Sequence, residues 1–408
     1  MKIDEIELKI IPDSRGQDTL EAKIISGGFS VSAAVPSGKS KGTAEVFVLE
    51  PQKALGKFEE IKPRILAGDF SSLEEFDNFL INLDDTPDKH NLGGNLILVL
   101  SIAFTKLLAK SQSLEVYELI SHLVTRFGYA RGVTKDAVNV FKFPLCFFNV
   151  INGGLHAKES LPFQEYMFIP QFEKPSENLK SVTSFIKVLG EKIQAKYGKL
   201  QMGDEGGYEV PSKDPEEGLK ILKEVIAESG QLDGRLSLDV AASSFFKDGK
   251  YEVGDKRYSG DELLKYYELI TDHYKLLSIE DPYDENDVNS FQKITQELGE
   301  RAWIIGDDLT TTNPQRIQEM QEKKACNAVI IKPNQIGSVS ETLEAIKLAQ
   351  GYGWKIIVSH RSGETMDTFI ADLAFGVGAD GLKSGAPLQE QRLAKYNRLV
   401  DIERRLCL

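Results

Sequence analysis

Apolar and polar residues alternate in short runs from residue 1 to about 50, broken by the glycine-bearing turns SRGQ, SGG and SGKSKG. That pattern predicts a small antiparallel meander. From about 50 to 126 the apolar spacing lengthens to the helical period, and NLILVLSIAFTKLLAKSQ is apolar over a face wide enough to predict a buried helix. Around FGYARGVTKD the periodicity lapses into glycine and charge. A boundary there gives an N-terminal α+β capping domain over 1–126 and a second domain over 127–408.

In the second domain strands and helices alternate. PLCFFNV, EYMFIP, QMGDEGG, LSLD, LLSIED, AWIIGDD, AVIIK and WKIIVSH make about eight apolar strands, the number that closes an α/β barrel. PLCFFNV and EYMFIP have no helix-length segment between them, so the barrel is expected to start irregularly, as ββαα, before settling into repeated βα units.

Where these runs stop carries the chemistry. LSLD, LLSIED, AWIIGDD and AVIIK break off at Asp239, Glu280, Asp307 with its neighbour Asp308, and Lys332. Side chains at the carboxyl ends of parallel strands meet at one mouth of a barrel. One Asp after a strand more often caps the next helix than binds a metal, but acidic residues at three successive strand ends suit a hard cation such as Mg²⁺. Spacing alone leaves open whether Asp307 or Asp308 is the ligand. Lys332 follows a fully apolar run, which would carry its ammonium into the mouth, where desolvation and nearby cations make a lysine a usable base.

Three glycine-bearing loops add candidates. GDEGG sets Asp204 and Glu205 among glycines, and INGGLHAKESLPFQEY carries His156, Gln164 and Glu165. SHRSGET places His360, Arg361 and Ser362 after the last long strand, with Lys383 in GLKSGAP as a second positive group. Arginine forks onto phosphate, and serine with backbone amides completes an anion cradle. VPSGKSKG imitates a nucleotide-binding loop, but Ala33 stands where the first glycine is required and the following AEVFVLE reads as a strand. SHRS lacks the GxSxG elbow of a serine hydrolase.

Composition narrows the class. The 408 residues are 41% hydrophobic and 27% charged, as in globular proteins. A net charge of −13 disfavours nucleic acid or an anionic membrane as partner. No apolar run is expected to reach the length of a membrane span, and the alternating start MKIDEIELKI lacks the apolar core of a secretory signal. Cys146, Cys326 and Cys407 are odd in number and form no CxxC pair, which points away from a disulfide framework and toward the cytoplasm.

Taken together, DSRG, VPSGKSKG, NLGGN, FFNVINGGLHA, FQEYM, GDEGG, LDVAASSFFKDGKY, SIEDPYDEND, GDDLTTTNP, KPNQIGS, SHRSGET and LKSGAP resemble the enolase family, in its order and over essentially the whole chain. The resemblance implies reversible dehydration of 2-phospho-D-glycerate to phosphoenolpyruvate through a metal-stabilised aci-carboxylate. It implies two Mg²⁺ per active site, the tighter on Asp239, Glu280 and Asp307 and the second arriving with substrate near Ser40. Lys332 matches the family's base, Glu205 its acid and Glu165 a supporting acid. His156, Gln164 and His360 lie near the substrate, Arg361 and Ser362 match the phosphate clamp, and Lys383 a carboxylate contact. A homodimer or higher homo-oligomer is implied as well.

Departures from the family pattern fall outside these positions. Gln17 and Asp18 replace a common Asn-Pro, Ser244 a common Glu, and Lys39 and Lys41 stand on a flap that usually carries small or uncharged residues. They leave room for a superfamily paralogue acting on another acid, or for an idle binding protein. Retention of the phosphate clamp and of every matched catalytic residue favours the hydratase. The C-terminal RRLCL has no final lysine of the kind through which some enolases bind extracellular partners.

Overall fold

A computed structural model describes residues 1–39, 42–125, 142–157, 161–230 and 234–406. The predicted meander is present. Strands β1 (Glu5–Pro12), β2 (Asp18–Ser26) and β3 (Phe29–Ala34) pair antiparallel in that order. Alternate residues Leu20, Ala22 and Ile24 of β2 are buried, the period of a sheet covered on one face.

Helices α1 (Pro51–Ala67) and α3 (Gly94–Ser111) supply the cover, with α2 (Leu73–Asp84) and α4 (Val116–Thr125) packed against α3. Helix α3 packs on β2 and β3, and its Phe104 stacks on Phe76 of α2 with ring centroids 4.2 Å apart. Contrary to expectation, α3 is long and apolar enough to cross a membrane. The reason for its composition is packing: 15 of its 18 residues are buried inside the fold. The expected domain boundary at 126/127 lies outside the described residues.

The second domain is a closed barrel of eight strands. Their chain order is β4 (Leu145–Asn152), β5 (Glu165–Ile169), Arg235–Asp239, Ser278–Glu280, Trp303–Gly306, Ala328–Ile331, Lys355–Ser359 and Gly381–Lys383, with the last pairing back onto β4. Phe147, Met167, Ile169, Ile305, Ala328, Ile330 and Ile357 form a separate buried cluster of strand residues, a packed barrel filling rather than a pore.

The irregular start is real and has a simple cause. The loop 153–164 joins β4 to β5, and its described residues hold one short turn at Gly154–His156. A connection that short cannot house a crossover helix, so β5 runs antiparallel to both neighbours. Helices α5 (Pro175–Tyr197) and Glu217–Ser229 then follow before the next strand. The strand expected at QMGDEGG is not a stave of the barrel. Met202 makes an isolated bridge to Tyr208, Tyr208–Glu209 pairs on β4 outside the ring, and the eighth stave is the three-residue Gly381–Lys383.

The meander domain docks on the barrel through buried polar groups. Asp77 of α2 accepts from the Ser340 backbone N–H at 2.9 Å and from its hydroxyl at 2.7 Å, at the start of helix Val339–Tyr352. Ser101 of α3 accepts from the neighbouring Val339 N–H at 3.0 Å.

Candidate active site

The strand ends converge as the spacing predicts. Asp239 and Glu280 are the last residues of paired strands and face each other in register. Asp307 follows the strand ending at Gly306, and Lys332 the one ending at Ile331. Pro333 begins a four-residue helix just beyond Lys332, so the strand cannot continue and the ammonium is turned at the mouth. His360 follows the stave ending at Ser359, and Lys383 ends the last one.

Glu165 reaches this mouth for the opposite reason. It is the first residue of β5, but because β5 is reversed it sits in register between Asn152 and Asp239. Glu205 comes from the tight GDEGG loop, whose Asp204 N–H donates to the His156 carbonyl at 3.1 Å. A Cβ on Gly203 would lie 2.6 Å from both the Asn152 Cβ and the His156 carbonyl oxygen, so this loop sits close to the end of β4 only because the residue is glycine.

These groups surround a cavity of about 300 Å³, the size of a small-metabolite site. His156, Gln164, Glu165, Glu205, Asp239, Asp307, Lys332, His360, Arg361, Ser362 and Lys383 all line it. Glu280 reaches the same cluster through the Lys383 ammonium, at 2.9 and 3.0 Å. Ser40 lies outside the described residues.

Two ammonium groups share the carboxylates. Lys383 Nζ stands 3.0 Å from Asp239 Oδ2 and 3.1 Å from Glu165 Oε2 as well as bonding Glu280. Burial disfavours its charge, but Asp239, Glu165 and Glu280 outweigh burial and hold its pKa well above the lysine value. Lys332 pairs with Asp307 Oδ2, which raises its pKa against the lowering effect of burial. Gln335 Nε2 donates to the other oxygen, Asp307 Oδ1, at 3.0 Å, and Gln164 Nε2 to Asp239 Oδ2 at 3.4 Å. Burial and the Asp239 charge push Glu280 upward.

Along the same wall Glu205 Oε2 accepts from Asn149 Nδ2 at 3.0 Å and lies 3.3 Å from His360 Nε2. His156 Nδ1 lies 3.7 Å from both Glu165 Oε1 and Glu205 Oε1. Burial and the Glu205 charge raise the Glu165 carboxyl well above its usual range. Burial also raises Glu205, but the facing His360 and His156 outweigh it and hold that carboxyl low.

The acidic groups suit a hard divalent cation. Carboxylates Glu165, Glu205, Asp239, Asp307 and Asp308 outnumber the cations Lys332, Lys383 and Arg361 along the cavity wall. All are oxygen donors, and neither described free cysteine, Cys146 or Cys326, lines it. Among the described residues, Asp281, Asp307 and Asp308 bring ligand atoms within 4.8 Å of one another, as do His156, Glu165 and Glu205. Asp281 already spends both oxygens on the Asp307 and Asp308 N–H groups, at 2.9 and 2.8 Å, and so shapes the turn. Asp239, Glu280 and Asp307 are parted between the two ammonium groups.

Arg361 is forked by Glu45, whose Oε2 and Oε1 lie 2.9 and 3.1 Å from Nη1 and Nη2, and Nη1 also donates to Asn334 at 3.0 Å. Ser362 Oγ accepts from Arg15 Nη1 at 3.3 Å and from the Lys39 N–H at 2.9 Å. Sequence reasoning misses Glu45, Arg15, Asn149, Asp281 and Arg392. Of these, Asn149 leaves a signal as a lone polar residue inside the apolar run LCFFNV. Ser243 and Ser244 line the cavity too, so the Ser244 departure lies at the site itself.

Comparison with known proteins agrees along the whole chain. Residues 3–120 match the enolase N-terminal domain and residues 140–407 the enolase C-terminal TIM barrel domain. Enolase of Methanopyrus kandleri is 40% identical over 100% of this chain and 96% of its own. Enolase of Elusimicrobium minutum is 38% identical over 99% of this chain and 96% of its own, and that of Pyrococcus furiosus 40% over 97% and 93%. With its barrel mouth built as described and both family domains matched, the chain belongs to the enolase family, the phosphopyruvate hydratases.

Proposed function

We propose that the chain carries out the Mg²⁺-dependent, reversible dehydration of 2-phospho-D-glycerate to phosphoenolpyruvate, with Lys332 as base and Glu205 as acid. The observation that carries this reading is that both line one cavity, Lys332 among the strand-end carboxylates and Glu205 on the His156, Asn149 and His360 side. Two groups set across a small acid can remove the C2 proton from one face and assist hydroxide loss from the other, an anti elimination.

The proton at C2 is weakly acidic because its removal adds charge to an existing carboxylate. Bound through Asp239, Glu280 and Asp307, with a second ion toward Ser40, Mg²⁺ would supply the positive charge that makes this possible; a lysine base working beside Mg²⁺ is already well established for the enolase superfamily. Lys383 adds a fixed cation for the same carboxylate. Lys332 must shed its proton to act; burial, Arg361 and Lys383 work toward that, against Asp307 and Glu280, which hold its pKa raised until their charge is met by other cations.

Glu165 supports Glu205 on the acid side, and His156, equidistant from both carboxylates, is placed to let a proton pass between them. Gln164 and His360 orient the carboxylates that face the substrate, and Arg361 and Ser362 take its phosphate. The α+β unit over 1–126 caps the barrel unit over 127–408, and a cytoplasmic homodimer or larger homo-oligomer completes the reading.

The test is an ultraviolet assay for phosphoenolpyruvate with purified protein, Mg²⁺ and 2-phosphoglycerate. Absorbance should develop, and Lys332→Ala and Glu205→Gln should each remove nearly all of it. Normal turnover by either variant would overturn the role given to that residue, and turnover of an unphosphorylated acid in place of 2-phosphoglycerate would overturn the substrate.

A further inference from the structure

Arg392, near the start of helix Glu390–Arg405, is fully buried, and its five N–H donors all point at neutral acceptors. Nη1 donates to His360 Nδ1 at 2.6 Å and to the Arg361 carbonyl at 2.5 Å. Nη2 donates to the carbonyls of Ser362 at 2.7 Å and Asp204 at 3.4 Å, and Nε to Gln389 Oε1 at 3.3 Å. A buried guanidinium satisfied by neutral oxygens and an imidazole costs desolvation that a packed apolar side chain would avoid. What it achieves is to join the loop that carries Glu205 to the one that carries the proposed phosphate clamp.

The contact with His360 has a chemical consequence. A guanidinium has no acceptor and keeps its charge, so His360 Nδ1 must accept and cannot carry hydrogen. The ring proton is thereby forced to Nε2, which faces Glu205 Oε2 at 3.3 Å. Asn149 Nδ2 donates to that same oxygen at 3.0 Å. Asn149 is thus the donor bonded to Oε2, with the His360 Nε2 edge beside it but not hydrogen-bonded, and Oε1, which looks toward His156, is the oxygen left to take a proton.

We propose that Arg392 is a positioning residue that locks His360 in its Nε2–H tautomer and so sets an N–H beside Glu205 Oε2, leaving Oε1 as the atom that carries the proton delivered to the leaving hydroxyl. The last clause rests on the reading of Glu205 as the acid; the tautomer does not.

The decisive experiment is nitrogen NMR on the full chain with ¹⁵N-labelled histidine, His360 being assigned by its loss in His360→Gln. The expected spectrum at neutral pH has a protonated Nε2 and an unprotonated, hydrogen-bonded Nδ1. An Nδ1–H tautomer, an imidazolium or a freely exchanging ring in the native protein would overturn the proposal without any variant being made. Arg392→Met should release the tautomer and lower kcat on the order of 10- to 100-fold with little change in KM, and Arg392→Lys, which restores one donor, should recover part of both signals. Unchanged kcat in a folded Arg392→Met protein would sink the positioning role. Should Glu205→Gln stay active while His360 keeps the Nε2–H form, the acid assignment fails and the tautomer lock stands.

Discussion

Lys39 is paired with Asp204, its Nζ 2.8 Å from Oδ2 and 2.9 Å from the Leu155 carbonyl, while its own N–H is held by Ser362 Oγ. One residue thus fastens the glycine-bearing loop before Ser40 to the loop of Glu205 on one side and to the clamp on the other. The backbone lies tight against the site: a Cβ on Gly38 would stand 2.1 Å from Arg361 Nη2. Lys41, the second unusual lysine, lies outside the described residues.

For Lys39→Ala we expect a modest effect. The pair is 47% and 33% exposed, which limits it to about 0–1 kcal/mol. KM for 2-phosphoglycerate should rise by no more than about fivefold, and added salt should shrink the difference from the native protein. Steady-state kinetics at two ionic strengths reads both effects.

Glu45 and Arg361 are a different kind of pair, each only 4% exposed. Removing one partner strands a buried charge, so Glu45→Ala should cost about 3 kcal/mol in urea unfolding. It also opens the fork of Arg361, and inorganic phosphate should raise the melting temperature of Glu45→Ala more than that of the native chain.

Asp77, at the contact between α2 and Ser340, makes stability depend on pH. Burial pushes its carboxyl up to about 6, against hydrogen bonds that favour the charged form. The folded pKa is above the unfolded one, so the contribution is complete below the unfolded value near 3.8 and is lost as pH rises through about 6. The loss is of order 3 kcal/mol. Asp77→Asn should remove this decline, and the difference between the two unfolding free energies across that window measures it.

Mg²⁺ should stabilise the native protein, because folding assembles the oxygen donors from separate strands. An ion present at about 100 times its dissociation constant adds roughly 2.7 kcal/mol. Asp239→Asn should lose most of that increment in calorimetry, and a chelator should return the native protein to its metal-free melting temperature.

Most of the barrel mouth was legible because strand ends are marked twice, by where an apolar run stops and by the charge that stops it. Asp239, Glu280, Asp307 and Lys332 are all of this kind. Glu165 was visible at the head of its run, but a residue that begins a strand belongs at the floor of an all-parallel barrel. Only the missing crossover helix before β5 puts it at the mouth. Lys383 ends a stave of three residues, too short to show a period, so its rank as the eighth strand was hidden. Arg392 left no local trace, since a basic residue early in a polar helix reads as surface until tertiary packing buries it. Glu45 was silent for a related reason: its partner Arg361 lies 316 positions away.

The reversed β5 also decides where this molecule can be handled. Its far end, Ile169, is level with Arg235, the first residue of its neighbour, so the exposed turn 171–174 emerges at the opposite end from the catalytic rim. A fluorophore, tether or inserted peptide placed there would point away from incoming substrate, whereas the same graft after a forward-running stave would land beside the chemistry.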